Sequence, residues 1–288
     1  MSSEAPAPAR GVRRRSPAAL LRSLSPSGRV GLALVGAALL LSLAGPALLS
    51  ASPNAMSTEM LQAPGTAHWL GTDDLGRDVL ARVVSGGQIS LIVGALSAAI
   101  AVLVGTAVGS LAGYVGGVTD EVVMRLSEAF QIIPRFFLAI VVVALVGSGV
   151  LKIALVFGFL SWPATARVVR AQVLVLRREE FVLAAIMGGA STWRVVIRHI
   201  LPNVLPIIVV SASLQAGAAI LLESFVSFLG LGDPARPSWG LLLQQGQTYL
   251  RSGWWISTFP GIALSLTILG LNLLGDGMND MGRRTARS

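Results

Sequence analysis

Residues 179–203 read EEFVLAAIMGGASTWRVVIRHILPN, a half-polar stretch set between two long apolar runs. Glu179 to Met187 has the pattern of a short helix in which Phe181, Val182, Ala185 and Ile186 can share an apolar side. Gly188-Gly189 should break it, because glycine is costly inside a helix and readily takes positive φ. Ser191 can then cap a second helix over Thr192 to Ile200, and Pro202 is expected to stop it. The product is two short helices meeting at an elbow of small residues, Ala184, Ala185, Gly189 and Ala190, with Arg194 and Arg198 beside it. Two readings stay open: an amphipathic loop lying on lipid headgroups, or a surface that another protein approaches closely.

The surroundings of this stretch set the class of the chain. Of 288 residues 53% are hydrophobic and 12% charged, with mean hydropathy +0.74, which is outside the range of ordinary soluble domains. Val30 to Leu49 is uncharged and, at about 1.5 Å per residue, long enough to cross some 30 Å of hydrocarbon. Ile89 to Tyr114 and Trp254 to Gly275 are also uncharged, and runs near 122–147, 150–170 and 204–231 hold only isolated charges. Six transmembrane helices are expected, in an all-α membrane protein.

The net charge of +8 does not point to nucleic acid, because the basic residues are grouped. Arg10, Arg13, Arg14, Arg15, Arg22 and Arg29 precede the first run. Arg167, Arg170, Arg177, Arg178, Arg194 and Arg198 surround the elbow, and Arg283, Arg284 and Arg287 follow the last run. With six spans all three groups fall on one side, which the excess of arginine makes cytoplasmic, so both termini are expected there. The expected divisions are a disordered tail over 1–27, a first span over 28–50, an external segment over 51–86, a core with five spans over 87–278 containing the loop 177–203, and a tail over 279–288.

Within that frame the external segment HWLGTDDLGRDVLARVVSGGQ suggests a short amphipathic surface helix, with Asp73 and Asp74 before Leu75, Val79, Leu80 and Val83. Gly105, Gly109 and Gly113 recur every fourth residue on span 2 and should let a neighbouring helix approach. Thr119-Asp120-Glu121 reads as a helix start, Arg125 and Glu128 as an ion pair on one face of span 3, and Gly147-Ser148-Gly149 as a tight outer turn. Trp254 and Trp255 suit an interfacial belt.

Cysteine is absent, the one lysine (Lys152) sits in VLKIA and not in a phosphate-binding loop, and His68 and His199 are expected on opposite sides of the membrane. Neither a nucleophile–base pair nor a metal-ligand set is legible, so no catalytic role is expected of this chain.

The spacing of Ala184-Ala185, Gly189 and Leu201-Pro202 resembles the "EAA" loop of bacterial ABC-importer permeases. Leu183 departs from it where an acid or arginine is common, and Ile186 where arginine is common. HWLGTDDLGRDVLARVVSGGQISLIVG (68–94), LLESFVSFLGLG (221–232) and NLLGDGMND (272–280) resemble the dipeptide, oligopeptide and nickel group of that family, in its C-type permease subunit. The resemblance implies a type I (MetI-like) importer permease in the cell membrane. Its path would be shared with a homologous sister permease and its cargo delivered by an extracytoplasmic solute-binding protein. Two cytoplasmic ATPase subunits would hold ATP and Mg, with no cofactor in this chain. It implies that Phe181, Ala184, Ala185, Met187, Gly188, Gly189, Ala190, Ser191, Arg194, Arg198, Leu201 and Pro202 form the loop that docks on an ATPase, whose closure rocks the spans.

The implied cargo is a di- or oligopeptide, with a nickel or metal-chelate importer as the alternative. A proton-coupled secondary carrier using Glu223 is the alternative from another class. Glu223, costly near mid-span, either lines the path or pairs with a helix end or a sister-subunit arginine. Ser211, Ser213 and Gln215 either wet the path or bind neighbouring helices. Asp276 suits a cap or a pair with Arg283 or Arg284. Residues 68–84 serve either a docked binding protein or the interface.

Overall fold

The computed structural model describes residues 24–49 and 52–285, and among them the regular structure is helical. In chain order the helices are α1 (Pro26–Leu48), α2 (Val79–Val115), α3 (Gly117–Ile132), α4 (Arg135–Val146), α5 (Val150–Leu176), α6 (Glu180–Met187), α7 (Thr192–Val195), α8 (Leu201–Val226), α9 (Trp239–Gly246) and α10 (Trp255–Thr285). Five continuous segments are long and apolar enough to cross a membrane: α1, α2, α5, the run Thr192–Leu231 and α10. The bent pair α3–α4 makes a sixth. The bundle has a capped end, carrying residues 52–78, the Gly147–Gly149 turn and α9, and an elbow end, where α6 and α7 lie.

Helix α2 is the spine. It packs along α5 over most of its length and also touches α1, α8 and α9. The expected glycine stripe makes the α5 contact. A Cβ at Gly105 would sit 2.8 Å from the Trp162 carbonyl oxygen, at Gly109 2.4 Å from that of Ala166, and at Gly113 2.9 Å from that of Arg170. Because the obstacles are backbone atoms, no rotamer change makes room. Where α2 meets α8, a Cβ at Gly94 would lie 2.5 Å from the Ile220 side chain.

Several expectations are corrected. Residues 73–78 are not a surface helix: Asp78 caps α2 directly, its side chain accepting from Ala81 N, and Val79 and Val83 belong to the first turns of the spine. Gly86 and Gly87 do not interrupt it, since both face Trp239 and Gly87 also faces Ser42. The spine therefore runs through the expected boundary at 86/87. Ser25 caps α1 and is buried, so ordered structure begins before residue 28; the earlier part of the expected tail, with Arg10 to Arg22, lies outside the described residues. At the other end α10 continues to Thr285, through most of the expected 279–288 tail.

The third span is the main departure. The α3 and α4 axes differ by 82° across Ile133-Pro134, because proline supplies no amide donor and holds the preceding residue out of the α region. Gly116, not Thr119, occupies the N-cap of α3, and Asp120 pairs with Arg170 of α5. Arg125 and Glu128 make no ion pair. Gly147 and Gly149 take φ of +89° and +142° in the expected tight turn.

Glycine substitutions separate contact from propensity. Gly109→Ala should destabilise by about 1–3 kcal/mol through overpacking, whereas Gly36→Ala, with nothing near its added Cβ, should be neutral or stabilising. Thermal unfolding of the two purified variants checks this.

Candidate coupling elbow and polar centres

The elbow forms where expected. Helix α6 ends at Met187, Gly189 takes φ +79° with no atom within 4 Å of an added Cβ, and the chain re-enters helix at Thr192. Ser191 holds the N-cap position without a side-chain capping bond. Val182, Val195 and Ile200 are fully buried against Val169 and Val173 of α5 and Val204 of α8, which fixes the elbow to both spans. Facing outward are Phe181, Leu183, Ala184, Ile186, Met187 and Trp193, the last two 88% and 74% exposed, with Arg194 and Arg198 alongside. Ala185 and Ala190 are half-buried between the two sets.

Pro202 does not stop the second helix. Val196–Ile200 form a π-turn, and the chain continues without a break into α8. The wider turn gives Leu201 N the Val196 carbonyl, so the altered register is complete one residue before the proline that has no donor. Leu201 and Pro202 are thus the junction between elbow and span.

The four residues expected along a path separate. Glu223 is 2% exposed and accepts from Ser90 Oγ (3.1 Å) and Ser227 Oγ (2.6 Å). Ser90 Oγ in turn accepts from the Trp239 amide at the start of α9 (3.3 Å), so Glu223 meets a helix end and not an open cavity. Gln215 is buried and donates from Nε2 to the Ser161 carbonyl (3.2 Å) and to Thr165 Oγ1 (3.4 Å), binding α8 to α5. Ser213 bonds back to the Val210 carbonyl, and Ser211 is half-buried on the same helix. The side chains of Arg283 and Arg284, expected beside Asp276, lie outside the described residues.

Sequence reading missed the centre of the capped end. Asp73, almost fully buried, accepts from the amides of Leu75 and Arg77 (both 2.9 Å) and pairs with Arg77 Nε (2.6 Å) and Arg82. Arg82 also donates to Gln245 of the α9 end (2.8 Å). Trp255, expected in an interfacial belt, is instead buried and donates to the Thr72 carbonyl (3.0 Å). His68 stands between Asp78 (Nδ1 to Oδ2, 2.8 Å) and Glu59 (Nε2 to Oε2, 3.0 Å). Its pKa is held above the ordinary 6.5, the Asp78 hydrogen bond raising it most, burial opposing and Glu59 adding. Among the described residues no three His, Asp or Glu side chains converge where a metal ion could sit.

Residues 101–287, which include the elbow, match the family described as the inner membrane component of binding-protein-dependent transport systems. The chain belongs to this family. Among its relatives is the oligopeptide transport system permease protein of Haemophilus influenzae, 44% identical over 74% of this chain and 69% of that protein. The dipeptide transport system permease protein of Alkalihalophilus pseudofirmus is 38% identical over 87% of this chain and 83% of its own. The glutathione transport system permease protein of Pectobacterium atrosepticum is 40% identical over 76% and 73%. This permease is therefore an all-helical membrane component of the same kind.

Two outcomes test the polar centres. Glu223→Gln should lower stability by about 1–2 kcal/mol through weakened hydroxyl bonds and leave uptake per assembled permease essentially unchanged. Uptake and unfolding of one preparation decide between the roles. Below pH 6.5 His68 is charged in folded and unfolded chains alike, so its bonds contribute fully; the contribution fades as pH rises through its raised folded value. Hydrogen-exchange protection at residues 57–78, taken relative to the intrinsic rate at each pH, should fall across that interval, and His68→Gln should remove this pH dependence.

Proposed function

We propose that this permease carries di- or oligopeptides as one subunit of an ATP-driven importer. The exposed elbow supports the coupling part of this reading most directly. Small residues around Gly189 admit close approach, apolar side chains face outward uncovered by any described residue, and the elbow core grips two spans at once. A soluble ATPase subunit with a complementary groove fits such a surface, since a large exposed apolar patch beside charge marks a protein contact. Peptide cargo rests on the relatives' names, oligopeptide and dipeptide transport permeases among them.

On this reading the elbow end and both termini face the cytoplasm, in accord with the arginines gathered there, and two ATPase subunits supply ATP and Mg. A sister permease completes the path, and a solute-binding protein approaches the capped end. ATPase closure would push the elbow and turn α5 and α8 with it.

Ala184→Arg gives the cleaner test, because Ala184 is exposed on a regular helix whereas any side chain at Gly189 also strains the backbone at φ +79°. The variant should fold and keep its sister permease, while co-purified ATPase and peptide uptake both fall by roughly tenfold or more. Retained ATPase and uptake would refute the docking assignment. Uptake abolished by a protonophore at constant ATP, with no ATPase bound to the wild type, would instead establish a proton-coupled carrier.

A further inference from the structure

The break in the third span leaves an arginine unanswered. Arg135 is the first residue of α4, and it lines a cavity of about 370 Å³ together with Phe136, Ser161, Ala218, Leu221 and Phe225. That volume falls within the roughly 300–1,000 Å³ of small-ligand pockets. Two rulers give its depth. Arg135 is separated from the Gly147 turn by the 12 residues of α4, and Ser161 is the twelfth residue of α5 after Gly149. Either count places the cavity about 18 Å of helix from the Gly147–Gly149 turn, within the apolar length of the bundle.

A guanidinium at that depth needs a counter-charge or water. Among the described residues no carboxylate answers it: Arg135 makes no ion pair and no side-chain hydrogen bond there. The charge that acts on it is the like charge of Arg167 on α5, whose guanidinium donates to the Gln131 side-chain oxygen. By contrast Arg170 pairs with Asp120, and Arg82 with Asp73. The walls beside Arg135 are apolar, and the Phe136 and Phe225 rings close one side edge to face at 5.6 Å. Behind Ser161 stands Gln215, which fixes that wall to α8.

We propose that Arg135 holds the C-terminal carboxylate of a peptide in transit, with the terminal side chain against the apolar wall of Leu221 and Phe225; this rests on the peptide-importer reading above. A free carboxylate fits an arginine fork better than any other group a peptide carries at both ends or along its backbone. The second guanidinium, Arg167, keeps the site positive when Arg135 is occupied and so favours an anion over a neutral amide.

The test uses the complete transporter, purified with the subunits that accompany it and reconstituted in vesicles with saturating binding protein. Uptake of trialanine is compared with that of trialanine amide, in wild type, Arg135→Gln and Arg135→Lys. Because the binding protein is common to all three, only the change in the acid-to-amide ratio is read. The proposal expects that ratio to fall by roughly tenfold in Arg135→Gln, with amide uptake unchanged, and to be largely kept in Arg135→Lys. An unaltered ratio with intact uptake overturns the proposal and leaves the peptide reading standing. Loss of the sister permease from Arg135→Gln overturns it too, assigning the counter-charge to a subunit contact. A defect that follows the anionic lipid content of the vesicles and not the peptide's C-terminus assigns it to a headgroup. A wild-type complex that moves neither peptide overturns the peptide reading and this inference with it.

Discussion

The contact of α2 with α5 sets the geometry of everything else in the bundle. Gly105, Gly109 and Gly113 bring one backbone against another, with carbonyl oxygens of α5 where side chains would otherwise be. In a bilayer there is no gain from hiding apolar surface between helices, so close packing and dispersion have to supply the attraction. This contact does so along a spine that also touches α1, α8 and α9. At about 55 Å for 37 residues, α2 outruns the hydrocarbon layer, and its two ends organise the two faces of the protein. One end carries the Asp78 cap and the Asp73 centre, and the other meets the elbow core through Tyr114.

In a lipid environment irregular backbone needs another outlet for its hydrogen bonds. The π-turn at Val196–Ile200 hands its last donor to Leu201 before Pro202, and the Ser227–Leu231 turn ends α8 at Gly230, whose φ is +84°. Ser227 there turns its hydroxyl to Glu223. The break at Pro134 is of a different kind, since it redirects a whole span by 82° and sets a charged residue at the start of the second segment. The edge-to-face pair Phe130–Trp162 braces the near side of that bend against α5.

Length, apolar runs and small-residue spacing made the helical class, the glycine contact and the elbow legible, because these depend on local properties of consecutive residues. The mistakes have a common physical cause. Asp73 to Val83 has the composition of an amphipathic surface helix, yet its acids fold into a turn around two arginines and its apolar residues start the spine. That choice is made with Gln245 and Trp255, which come from distant parts of the chain. Glu223 was conspicuous in sequence as a charge in a span, but its serine partners on α2 and beyond α8 could not be. Arg135 was passed over for the opposite reason: it was one isolated charge within the run 122–147, and the significance of Pro134 beside it appears only when the helix is seen to bend. A proline in mid-run followed by a charge was the available signal.

The elbow and the cavity at the break are joined by the same two helices, and that limits how either can move. Val182, Val195 and Ile200 are packed without exposure against Val169 and Val173 of α5 and Val204 of α8, so an elbow displacement cannot be absorbed locally without opening a core. The same α5 contributes Ser161 and Arg167 near the break, and the same α8 contributes Gln215, Leu221 and Phe225. Gln215 ties these walls together, while the α4 wall, bearing Arg135 and Phe136, is connected to α3 only through Ile133-Pro134. A push at the elbow therefore moves two walls of the cavity as one body, and the α4 wall is held to both by the Ala139–Val143 core on α5 and by the Phe136–Phe225 contact with α8.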